Sequence, residues 1–163
     1  MTTLRSKLIR LAHSEPEFRK PVLALLKNSA DLTLSPKRVA LGKRAVALAG
    51  LIKSLEETRP KPPTMDANAI WGVLVRGNGA LQHTSGYLLN THFTKLDFPV
   101  KPMRLRGPKA FRKHFVNVAK QAEDLRDDIG RLVNDDVGDT EGLDKALGEA
   151  KKAARVLGNL RRL

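Results

Sequence analysis

Along the last third of the chain apolar residues return at alternating spacings of four and three: Phe111, Phe115, Val118, Ala122, Leu125, Ile129 and Leu132. That alternation lines one side of an α-helix with a continuous seam of the coiled-coil kind. A second series, Leu143, Leu147, Ala150, Ala154 and Leu157, follows the acidic, glycine-containing stretch from Asp135 to Asp139. Two helices with matched seams and a short connector predict an antiparallel hairpin over residues 108–134 and 140–161, the alanines of the second helix permitting close approach.

Upstream the punctuation is clearer than the periodicity. Ser35-Pro36 supplies an N-cap and a first-turn proline, and Val39, Ala40, Val46, Ala49, Leu51, Ile52 and Leu55 predict a long helix over residues 36–57. This helix would begin basic (Lys37, Arg38, Lys43, Arg44) and end acidic (Glu56, Glu57), which opposes the macrodipole at both termini. Arg59-Pro60-Lys61-Pro62-Pro63 reads as an extended connector. Between residues 67 and 93 the run Ile70, Trp71, Val73, Leu74, Val75 fits a buried strand or a helix; helix is favoured because Leu81 to Phe93 lacks strict alternation. Gly77-Asn78-Gly79 reads as a turn signal. Thr94 to Gly107, with Pro99, Pro102 and four cations, reads as a long basic loop.

At the start, Leu4, Leu8, Leu11 and Ala12 form an apolar stripe with Arg5, Lys7 and Arg10 off it, and Ser14 with Glu17 fits a capping box around Pro16. Pro21 implies a break near Lys20 before Val22, Leu23, Leu25 and Leu26. The expected architecture is all-α. It comprises an amphipathic helical arm over residues 1–33 and a bundle over 34–163, whose middle, 64–107, is mixed and whose end is the hairpin.

Composition then limits the function classes. The 163 residues carry a net charge of +13, with no cysteine and few aromatics, so disulfide frameworks and thiolate metal sites are excluded. Charge is uneven: residues 1–63 hold 13 cations and 5 carboxylates, residues 108–163 hold 12 and 10, so the rear reads as a self-neutralising scaffold. No apolar run approaches the roughly 20 residues of a membrane span, and the N-terminus lacks the block structure of a secretion signal. The expectation is a protein that resides in the cytoplasm when made and does not enter membranes.

Catalytic chemistry has little to stand on. His13, His83, His92 and His114 are scattered, the acidic cluster around Asp124 to Asp139 lacks calcium-loop spacing, and the glycines lack a phosphate-loop context. The reading is of a non-enzyme without metal or cofactor. Two cationic clusters remain as anion-binding candidates: Lys37, Arg38, Lys43 and Arg44 on the first long helix, and Lys101, Arg104, Arg106, Lys109, Arg112 and Lys113 after Pro99. Brought together by folding, they would form one patch. Its partner is either a nucleic-acid backbone or an acidic protein surface, and the lack of interleaved aromatics argues against sequence-specific single-strand recognition.

The run LRSKLIRLAHSEPEFRKPVLALLK, residues 4–27, resembles a short N-terminal pattern of uncharacterised tailed-bacteriophage proteins: LRSxLIRLA, then Pro, Leu-Arg and LLxLLK. Phe18-Arg19 and Pro21-Val22 depart from it, and nothing beyond Lys27 takes part. The resemblance implies a phage-encoded protein of the virion and brings no catalytic residues. Together with the arm's amphipathicity it leads to the expectation of a structural or assembly component. Leu4, Leu8, Ile9, Leu11, Leu23 and Leu26 would dock in a groove on another subunit or on a second copy, while the basic patch meets an anionic surface. The alternative is a small nucleic-acid-binding protein without sequence specificity.

Overall fold

Ser35-Pro36 acts as the sequence suggests: proline needs no partner for the N–H it lacks, and the first long helix, α1 (Pro36–Thr58), begins at it. In the computed structural model the described residues are 34–58, 67–101, 103–105, 107–135 and 140–162, with Ser14, Glu17 and Lys20. The chain divides into two compact units, Met1–Ser35 and Pro36–Leu163. The expected arm, with Leu4, Leu8, Ile9, Leu11, Leu23 and Leu26, lies outside the described residues, as do Arg106 and the Pro-rich connector.

Three further helices follow α1: α2 (Ala67–Leu89), α3 (Gly107–Asp135) and α4 (Thr140–Gly158), with single 3-10 turns at Phe93–Lys95 and Asn159–Arg161. Every regular element among the described residues is helical, and the ambiguous middle is helix throughout α2. Gly77-Asn78-Gly79 is therefore not a turn but the interior of α2. There Gly77 admits Leu157 of α4, and Asn78, 6 % exposed, donates from Nδ2 to the Ala49 carbonyl at 3.4 Å.

The four helices form a ring in which α1 packs on α2 and α3, and α4 packs on the same two. All four adjacent pairs are antiparallel. Arg38 of α1 reaches the last turn of α2 while Asn78 reaches Ala49. Arg44 near the start of α1 meets Asp128 near the end of α3. Gly130 lies beside Leu147 while Glu123 bonds to Arg161, which fixes α4 antiparallel to α3. Gly77 lies under Leu157 while His83 and Gly86 share a pocket with Gly142, which does the same for α4 and α2.

The core is built from seams of four-three spacing. All seven α3 positions read from the sequence are buried, as on α4 are Leu143, Ala150, Ala154 and Leu157; the expected Leu147 is half-buried, and Ala146, Ala153 and Leu160 join the core. Phe111 and Phe115 stack edge to face with ring centroids 4.2 Å apart. On α1 the buried stripe is Leu41, Ala45, Leu48, Ile52 and Leu55. Of the positions expected there, Val39, Val46 and Leu51 are half-buried and Ala40 is exposed. Apolar residues occur nearly all round this helix, so composition alone did not mark the inward side.

Because α2 and α3 run the same way across the ring, the segment between them must climb the length of the bundle, and it does so along α1. Gly50 has no side chain to obstruct the Pro99 carbonyl, and Ser54 Oγ accepts the Lys101 N–H at 3.0 Å while donating to the Gly50 carbonyl at 2.9 Å. Phe98, Met103 and Leu105 pack against the core. The basic loop is thus a crossover strapped to the body, with Lys101 and Arg104 turned outward.

Candidate anion-binding site

Of the expected cations, all but Arg106 fall among the described residues. Arg38 is 5 % exposed and belongs to the fold. Its guanidinium donates to the carbonyls of Leu88, at 2.9 Å, and Tyr87, at 2.7 Å, satisfying two acceptors that the end of α2 leaves without helical partners. The same end is closed by Asn90 in the left-handed region, φ 49°, with the Thr91 N–H bonded to the Gly86 carbonyl at 3.0 Å. Arg44 is committed too, to Asp128, and Lys37 lines a cleft with Asp128, Arg131 and Asp135. Lys43 is exposed beside them.

The second cluster stands elsewhere. Lys101 and Arg104 on the crossover and Lys109, Arg112 and Lys113 on the first turns of α3 are all exposed. Arg112 precedes Asp128 by 16 residues, roughly 24 Å of helix axis. The two clusters therefore occupy opposite ends of the bundle and do not form the single patch expected, because α1 runs antiparallel to α3.

The C-terminal turns of α4 lie against the middle of α3, where Arg161 bonds to Glu123. Within the hairpin, residues 108–122 carry four cations and no carboxylate, and residues 123–149 carry three cations and ten carboxylates. Residues 150–163 then carry five cations and no side-chain carboxylate. Antiparallel packing of α4 on α3 folds the acidic stretch toward the connector and both basic stretches toward the other end. The rear of the chain is thus charge-segregated along its length, while Arg126, Arg131, Lys145, Lys152 and Arg161 each pair with one of its own carboxylates.

Between the middle of α3 and the last turns of α4 lies an open groove of about 630 Å³, lined by Glu123, Arg126, Lys151, Ala154, Arg155, Gly158, Asn159, Arg161 and Arg162. Arg161 bonds to Glu123 at 3.0 Å, and Arg126 bonds to Asp127 at 2.8 Å. The sequence reading missed Arg126, Lys151, Arg155, Arg161 and Arg162. The signal was present in the spacing of Lys151, Arg155 and Arg162, one helical turn and then two, but near-neutral charge summed over residues 108–163 concealed it.

Among the described residues no group of three or more His, Cys, Asp or Glu is placed to hold a metal, and no helix is long and apolar enough to cross a membrane. His83 and His92 line one pocket with Arg38, Tyr87 and Asn90, without a carboxylate among the residues that line it. Glu56, near the crossover, is the one described carboxyl whose titration is displaced: burial pushes it above its ordinary value, against the opposing pull of an Asn78 hydrogen bond and of Lys53. Comparison with protein-family models, curated proteins and solved structures finds no match to this chain.

Proposed function

We propose that this chain is a non-catalytic binding protein that holds nucleic-acid backbone by the cationic end of its bundle, without reading base sequence. The observation that carries the reading is the folding of two basic stretches without side-chain carboxylates, residues 108–122 and 150–162, to the half of an antiparallel hairpin that lies away from its connector. The crossover adds Lys101 and Arg104 there. Neutralising phosphates with such cations releases condensed counterions, which gives affinity without any shaped pocket or motif. Aromatic rings for base stacking are missing from the groove lining, which favours backbone contact over base contact. Its place in a larger assembly, a phage particle included, rests on the pattern in residues 4–27, and no observation among the described residues adds to it.

The test is a salt titration of the full chain with a fluorescently labelled 20-base-pair DNA duplex. Log affinity should fall linearly with log NaCl with a slope of about −4, that of four or five neutralised phosphates. Scrambling the duplex sequence should leave the affinity within about threefold. A flat salt dependence, or binding that strengthens with salt as docking through an apolar stripe does, refutes the reading.

A further inference from the structure

We infer that the groove between the middle of α3 and the C-terminal end of α4 is the seat of the phosphate backbone; this rests on the nucleic-acid reading above and names where on the molecule it acts. The groove brings Arg126, Lys151, Arg155, Arg161 and Arg162 around a single carboxylate, Glu123. Two of these cations are held by the protein's own acids, Arg161 by Glu123 and Arg126 by Asp127. Lys151, Arg155 and Arg162 have no carboxylate within 4.0 Å among the described residues.

Those three follow one another along α4 and to the residue that closes the 3-10 turn after it, 11 residue steps or roughly 16 Å of axis. That length matches the rise of four or five nucleotides of one strand, at about 3.4 Å each. Glu123 fixes one wall by holding Arg161, so the guanidinium is already oriented when an anion arrives. Arginine's planar fork suits bidentate contact with phosphate, and four of the five cations are arginines.

A purely local role explains less. Cations near a helix C-terminus complement its dipole, and Arg155 and Arg161 occupy such last turns. That effect fades within one turn, so it does not reach Lys151, and it gives no reason for Arg126 of α3 to face the same opening. Five cations gathered in one concavity repel one another, and a bound polyanion relieves that repulsion.

The experiment compares three variants of the full chain on the labelled 20-base-pair duplex at 50 mM NaCl. The first is Lys151→Gln/Arg155→Gln/Arg162→Gln, in the groove. The second is Lys37→Gln/Lys43→Gln/Lys95→Gln, which removes the same charge at the far end. The third is Lys151→Arg/Arg155→Lys/Arg162→Lys, which keeps the groove's charge. The groove variant should bind at least about 30-fold more weakly, with the salt slope shallower by about 2 to 3. The far-end and charge-keeping variants should stay within about threefold of the unmodified protein. Equal losses in the groove and far-end variants, or a groove variant within threefold, overturn the groove as the seat while leaving backbone binding standing. No binding by the unmodified chain, or binding of poly-glutamate as tight as that of the duplex, overturns both.

Discussion

Gly77 and Gly79 sit two residues apart in α2 and have opposite surroundings. A Cβ on Gly77 would lie 2.5 Å from Cδ2 and 2.7 Å from Cγ of Leu157, which is fully buried and has nowhere to go, whereas a Cβ on Gly79 would meet nothing within 4 Å. Alanine is favoured over glycine in a helix by roughly 0.8–1 kcal/mol, and overpacking a filled core costs about 1–3 kcal/mol. Gly79→Ala should therefore raise stability by about 0.5–1 kcal/mol and Gly77→Ala lower it by about 1–2 kcal/mol, read as opposite shifts of the urea midpoint. Equal shifts would mean that α4 does not seat against Gly77. In the sequence the tripeptide Gly77-Asn78-Gly79 looked like a turn, because glycine marks a loop and a close helix contact alike and only the partner tells them apart. Arg38 was illegible for the same reason: nothing local distinguishes a guanidinium on a surface from one that closes the end of another helix.

At the scale of elements, the charge order of α1 and α3 explains itself only when the two are laid side by side. Each begins basic and ends acidic, against its own dipole. Antiparallel packing sets the basic start of α1 on the acidic end of α3, where Arg44 bonds to Asp128, whose other oxygen accepts from Arg131 at 3.3 Å. The pair is part-exposed, with side chains 47 % and 34 % accessible, so its worth is that of a surface bridge, about 0.2–1 kcal/mol. Arg44→Asp and Asp128→Arg should each destabilise by about that amount or somewhat more, and the double exchange should recover most of it, giving a coupling of about 0.5–1 kcal/mol in a double-mutant cycle. Zero coupling would detach the charge order from helix pairing. The seams of α3 and α4 were legible because their polar sides are strongly charged. The inward stripe of α1 was not, since alanine and valine surround that helix, and α2 betrayed itself as helix only through the lack of alternation after Gly79.

For the whole molecule the decisive property is where charge goes when the hairpin closes, and no window along the chain contains it. Residues 123–149 hold the acids that balance the hairpin's count; folding leaves Glu123 and Glu149 beside Arg161 and Lys152 and carries most of the others toward the connector. The result is a cationic half in which successive cations of Lys151, Arg155 and Arg162 stand one or two helical turns apart, less than the screening length in dilute salt, about 30 Å at 0.01 M against about 10 Å at 0.1 M. Added salt therefore acts in opposite directions on the two behaviours of the protein. It weakens binding to a duplex by competing for phosphates, and it strengthens the free fold by damping repulsion in that half. Between 10 mM and 200 mM NaCl the melting temperature of the free protein should rise, by about 2–5 °C for each kcal/mol of repulsion relieved in a chain of this size. Over the same range duplex affinity should fall by about 10⁵-fold, as a slope of about −4 requires. A melting temperature that stays level or drops on adding salt would mean that the cations of residues 108–122 and 150–163 are already neutralised by the protein's own carboxylates. In that case the bundle has no field to offer a phosphate backbone.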